Sequence, residues 1–101
     1  MPNIFRETVG PEYMLHFIQI KANLEEGDYR IFKTYLTNII GKRVLLKEQA
    51  LNPNRLGYNG YIELNLGISE EVTIEVEASQ AVKDKICSVF LRTLELPYGS
   101  K

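Results

Sequence analysis

At 101 residues, 45% hydrophobic and 25% charged, the chain has the size and composition of one ordinary globular domain. No apolar run approaches the roughly 18 residues that span a bilayer, the opening MPNIFRETVGPE lacks the basic-then-apolar order of a secretory signal, and the single cysteine, Cys87, excludes an internal disulfide, so a soluble, cytoplasmic protein is expected. The net charge of −1 argues against a strongly basic nucleic-acid binder. It conceals a division: Arg30, Lys33, Lys42, Arg43, Lys47 and Arg55 against Glu48 leave +5 between 30 and 55, while Glu63, Glu70, Glu71, Glu75 and Glu77 leave −5 between 56 and 82. Such asymmetry fits a surface with one end for a polyanion and the other for solvent or a basic partner.

Residues 1–12 carry Pro2, Gly10 and Pro11 with no sustained period and read as an N-terminal arm, ahead of a single α+β domain over 13–101. From Met14 to Leu24 strict alternation predicts a half-buried strand, with Ile18, Ile20, Ala22 and Leu24 on one face and Gln19, Lys21 and Asn23 on the other. Asp28 then suits a helix N-cap, and the stripe Tyr29, Phe32, Tyr35, Leu36, Ile39, Ile40 lies on one helical face. Gly41 suits the left-handed position that closes such a helix, and Lys42 and Arg43 complement its negative end.

Val44-Leu45-Leu46 begins an expected edge strand, and the turn formers of 50–60 mark an exposed loop. Ile62, Leu64 and Leu66, then Val72, Ile74 and Val76, alternate with polar residues as two strands, joined across Gly67–Glu71 as a hairpin with acidic outer faces. Ser79 is a natural cap for a second helix bearing Val82, Ile86, Val89, Phe90 and Leu94, stopped by Pro97. The order β-α-β-β-β-α predicts an α+β two-layer sandwich, both helices packed on one face of a small antiparallel sheet. Its expected core is Phe32, Leu36, Ile39, Ile62, Leu64, Ile74, Val76, Ile86 and Phe90.

No catalytic signature stands out. His16 and Cys87 are too few for a zinc site, and Cys87, flanked by core positions on the second helix, reads as a small buried hydrophobe rather than a nucleophile. Glu75 and Glu77 share a strand face and read as a solvated acidic surface. No phosphate-binding glycine loop is present, so no enzyme, cofactor, metal or small-molecule substrate is expected. The segment from Gly41 to Asn59 does gather donors suited to RNA: cations for phosphates, the amides of Asn52, Asn54 and Asn59, and Tyr58 for stacking on an unpaired base.

The order of elements resembles the eukaryotic large-subunit ribosomal protein twenty-two family, the eukaryote-specific one. The similarity runs over roughly 14–96 through Leu15-His16-Phe17 into Glu25-Glu26-Gly27-Asp28, Phe32-Lys33-Thr34-Tyr35-Leu36, Gly41-Lys42, Gly60-Tyr61-Ile62-Glu63, Val72-Thr73-Ile74-Glu75-Val76, and the helix from Ser79 through Phe90-Leu91. Family members carry a basic tract before the first strand, where this chain has only Arg6. The resemblance implies a structural, RNA-binding component of the large ribosomal subunit, with ribosomal RNA and neighbouring ribosomal proteins as partners. The RNA-binding residues expected here are Lys42, Arg43, Lys47, Asn54, Arg55 and Tyr58, assisted by Lys83, Lys85 and Arg92. The alternative is a small protein-interaction module that docks a basic partner or adds a strand through an edge.

Overall fold

Side chains that alternate between core and solvent run through most of this chain, and each alternating segment is a strand. The computed structural model describes residues 1–25, 30–50 and 58–95, with the backbone alone at 58 and 59. They form β1 (Asn3–Val9), β2 (Tyr13–Ala22), β3 (Ile31–Asn38), β4 (Arg43–Ala50), β5 (Tyr58–Gly67), β6 (Val72–Glu77), a single-turn helix α1 (Gln80–Lys83), and β7 (Ile86–Glu95). The strands build two sheets of order β1-β6-β3-β4 and β5-β2-β7, with every neighbouring pair antiparallel.

Among the described strands, β3 and β4 alone are consecutive and share a ladder; every other connection crosses between the sheets. Crossing brings the apolar faces of both sheets onto one core. Leu15, Ile18 and Ile20 of β2, Phe32 of β3, Ile62 of β5 and Ile74 and Val76 of β6 are fully buried there, with Leu24 and Val82 closing one end. Each such side chain stabilises the fold by roughly 1.5–3 kcal/mol relative to exposure.

The molecule is therefore a β-sandwich and not the expected α+β sandwich with two amphipathic helices. The first expected helix is β3 followed by the tip of a hairpin. Phe32 and Leu36 are four apart, a spacing that shares a face in a helix and in a strand alike. The β-branched and aromatic content of Ile31, Phe32, Thr34, Tyr35 and Thr37 favours the strand. Phe32 and Thr34 turn inward, while Tyr35 pairs with Glu75 and Leu45 on the outer surface. Gly41 does take the left-handed conformation, at φ +87°, but it closes a hairpin. Its N–H donates to the Asn38 carbonyl (3.0 Å), the Asn38 N–H donates to the Lys42 carbonyl (3.0 Å), and the Asn38 side-chain oxygen accepts from the Ile40 and Lys42 amides. A tight turn followed by a left-handed glycine is a common hairpin closure.

The second expected helix ends after one turn. Ser79 caps it as expected, its hydroxyl accepting from the Val82 amide at 3.3 Å, but from Ile86 the chain is a strand. A register shift at Cys87, where Lys21 pairs with Ser88 and Ala22 with Ile86, resets the alternation so that Phe90 faces outward. Ile39 and Phe90 thus leave the expected core, at 66% and 44% exposed, and Leu36, Leu64 and Ile86 sit at its margin. Cys87 is exposed rather than buried.

Two pairings also differ from expectation. Residues 3–9 of the expected arm form β1, hydrogen-bonded along β6. The expected hairpin of β5 with β6 does not form, since β5 pairs with β2, and β6 lies between β1 and β3. No helix among the described residues is long and apolar enough to cross a membrane.

Candidate binding face

The residues expected to meet RNA are dispersed and partly engaged within the chain. Arg43 opens β4, and its guanidinium turns back over the four-stranded sheet, donating to Glu77 at 3.1 Å and lying 3.5 Å from Glu75. Glu75 also accepts from the Asn3 amide (2.9 Å) and faces Arg6 at 3.9 Å. The Glu77 hydrogen bond pushes the Arg43 pKa up against an opposing effect of burial, with the charges of Glu75, Glu77 and Tyr35 adding to the rise. Glu75 and Glu77 are therefore covered by cations, not the solvated acidic face expected of them.

Lys47 sits just past a register shift in β4 and reaches across the mouth of the sandwich, its ammonium donating to the Glu63 carbonyl of β5 at 3.1 Å. A charge turned into the seam between two sheet edges blocks further strand pairing there. Beside it an open groove of about 330 Å³ is lined by Leu46, Leu64 and Leu66. Lys42 is exposed beside the hairpin tip. Lys83 and Lys85 lie around α1, at the opposite end of the sandwich, because Asn38 pairs with the start of β6 and α1 follows its end. Asn52, Asn54 and Arg55 lie outside the described residues, as do the side chains of Tyr58 and Asn59. No single surface gathers the described cations, and the two opposite charge blocks of the sequence meet across strands where Arg43 pairs with Glu75 and Glu77.

A different surface is assembled on the outer face of the three-stranded sheet. Its first row, across β5, β2 and β7, is Tyr61, Gln19 and Phe90; its second is Glu63, Phe17 and Arg92; Lys21 and Ser88 continue it. Phe17 stands at the centre, its ring 5.3 Å from Tyr61 and 6.5 Å from Phe90, with interplanar angles of 74° and 62°. Tyr61 and Phe90 are each about half exposed. The Gln19 amide donates to the Tyr61 hydroxyl at 3.3 Å, fixing that ring's outer end.

A local irregularity builds this face. Between Leu15 and Phe17 the register shifts on both sides of β2: His16 is an extra residue against β7, while on β5 two residues, Leu64 and Asn65, stand opposite it, and Leu15 points into the core while Phe17, two residues on, points out. His16 ends edge-on to Phe17 at 4.8 Å. On β5 the matching irregularity places Asn65 at φ +47°, a conformation that Asn tolerates better than most residues. Bulges of this kind re-aim side chains at functional surfaces.

Part of this face was open to sequence reasoning and missed. Phe17 has the parity of Gln19 and Lys21, and Tyr61 that of Glu63, so both stood on outward faces already. Phe90 was hidden by the helical reading. Among the described residues no group of His, Cys, Asp and Glu is placed to hold a metal ion. No protein family, curated protein or solved structure matches this chain.

Proposed function

We propose that this protein is a binding module that docks a protein partner on the outer face of its three-stranded sheet. One observation carries the reading: Phe17, Tyr61 and Phe90, contributed by three adjacent strands, pack edge-to-face on a surface the fold leaves open. Edge-to-face rings form a relief of ridges and slots, suited to interdigitation with side chains. Interface centres are enriched in aromatic residues and Arg, and here Arg92 lies opposite Phe17 in the centre of the face, with Glu63 on the other side of the ring. The test is to isolate the native protein with its stoichiometric partner, map the contact by cross-linking, and compare the Tyr61→Ala/Phe90→Ala variant. A folded variant whose affinity falls by roughly 2 kcal/mol or more supports the face. Unchanged affinity refutes it.

RNA binding is a second reading, favoured by the exposed cations Lys21 and Arg92 beside the same rings. Unpaired bases stack on aromatic side chains while cations hold the phosphates, and this is where a role in the large ribosomal subunit would act. Support for the reading would be binding to single-stranded RNA whose log affinity falls by about 0.7 per decade of salt for each phosphate contact, with Tyr61→Ala costing roughly 1–3 kcal/mol. Failure of the native protein to sediment with ribosomes at low salt would remove the ribosomal form of it.

A further inference from the structure

We propose that the partner of the aromatic face is the same face of a second copy of this chain, stacked on it about a two-fold axis running along β2. The proposal rests on the reading of that face as a docking surface and names its occupant. The apolar ground extends past the two aromatic rows: Met14 of β2 pairs with Leu94 of β7 and Gly67 of β5, and Leu94 is 41% exposed. Glu63 and Arg92 are both exposed, and among the described residues neither side chain takes part in an ion pair. Lys47 engages the main-chain carbonyl of Glu63, not its carboxylate.

Charge complementarity selects the second copy. The central row reads Glu63, Phe17, Arg92: a carboxylate, a ring and a guanidinium on three adjacent strands. A two-fold axis along β2 keeps each residue's height along the strands and exchanges left for right. Glu63 of each copy then meets Arg92 of the other, twice, with Phe17 on the axis. The same operation sets Tyr61 opposite Phe90, and Leu94 opposite Gly67, where a Cβ would have no atom within 4 Å and a recess is left open. An axis across the strands at this row would instead set Glu63 against Glu63 and Arg92 against Arg92. The strands of the two copies therefore run in the same direction, and the sheets pack aligned, crossing at about 30° as sheet twist dictates. Lys21 also falls on the axis, facing its copy. It lies about 13 Å along β2 from Phe17, where the crossing strands have parted and its flexible stem carries the ammonium to water. Such a contact is self-complementary and closes at the dimer.

The experiment is sedimentation equilibrium of the whole protein over a wide concentration range, with a thermal melt of each variant to show that it folds. Wild type is expected to show a monomer–dimer equilibrium. Glu63→Arg and Arg92→Glu, each of which sets like charges opposite, should each weaken self-association by about tenfold or more. Mixed in equal amounts, these two variants should associate about as tightly as wild type, because each supplies the charges the other lacks. A wild type that is monomeric throughout, a dimer indifferent to either reversal, or a mixture no tighter than its components would each overturn the proposal. So would a dimer unaffected by Tyr61→Ala/Phe90→Ala, which would place the contact elsewhere. A monomeric wild type that binds a different protein and loses it on Tyr61→Ala/Phe90→Ala would overturn self-association while the docking face stands.

Discussion

The guanidinium carbon of Arg43 lies 3.6 Å from the centroid of the Tyr35 ring, on the outer face of the four-stranded sheet. The pair joins β4 to β3, and the carboxylates of Glu75 and Glu77 extend it to β6, so three strands are tied by one side chain. Removing Arg43 leaves two neighbouring carboxylates without their shared cation. Arg43→Ala should lower stability more than Lys47→Ala, and Arg43→Lys should recover only part, because an ammonium cannot both stack on the ring and fork between two carboxylates. Because its pKa is raised, the Arg43 contribution is fully present below the ordinary guanidinium range and would be lost only at strongly alkaline pH. Thermal melts of the three variants near neutral pH check the order.

Phe32 and Phe90 exchange the equality that helical periodicity assigned them. Phe32 is fully buried, and Phe32→Ala should cost roughly 3–5 kcal/mol in urea unfolding. Phe90 stands on the open face, and Phe90→Ala should cost no more than about 1 kcal/mol. Equal large losses would return Phe90 to the core.

Thr34 is fully buried on the inner face of β3, and its hydroxyl has no hydrogen-bond partner. An unsatisfied buried hydroxyl carries a desolvation cost of roughly 1–3 kcal/mol, and valine has nearly the same shape. Thr34→Val should therefore be neutral or stabilising by up to about 1 kcal/mol, read as a higher urea midpoint at unchanged slope.

The hairpin tip depends on backbone geometry more than on packing. A Cβ at Gly41 meets no atom within 4 Å, so the cost of Gly41→Ala is conformational, about 1–2 kcal/mol for forcing a side chain into the left-handed region. Asn38→Ala removes the acceptor for two turn amides and should cost roughly 0.5–1.5 kcal/mol. Differential scanning calorimetry measures both.

Cys87 should be modified rapidly in the folded protein. It is exposed on β7, and access rather than unfolding then sets the rate. Alkylation of the native protein within about tenfold of the unfolded chain's rate is expected; strong protection would place the side chain under cover.

Local chemistry alone determined a good deal of this protein. The alternation of β2, β5 and β6, the edge position of β4, the Ser79 cap and the left-handed Gly41 all follow from residue type and short-range spacing, and the structure holds each of them. Those features need only a few neighbouring residues to form. Tertiary structure decided the rest. The four-residue spacings of Phe32 with Leu36 and of Ile86 with Phe90 satisfy a helix, and strand partners far along the chain settled β3 and β7, aided by β-branched residues whose preference the stripe concealed. Likewise, β5 and β6 are adjacent in sequence yet paired into different sheets, because each buries its apolar face best against a strand from elsewhere. The same long-range pairing folded Arg43 onto Glu75 and Glu77 and gathered Phe17, Tyr61 and Phe90 from three strands, so neither the covering of those two carboxylates nor the aromatic face existed until the sheets had formed.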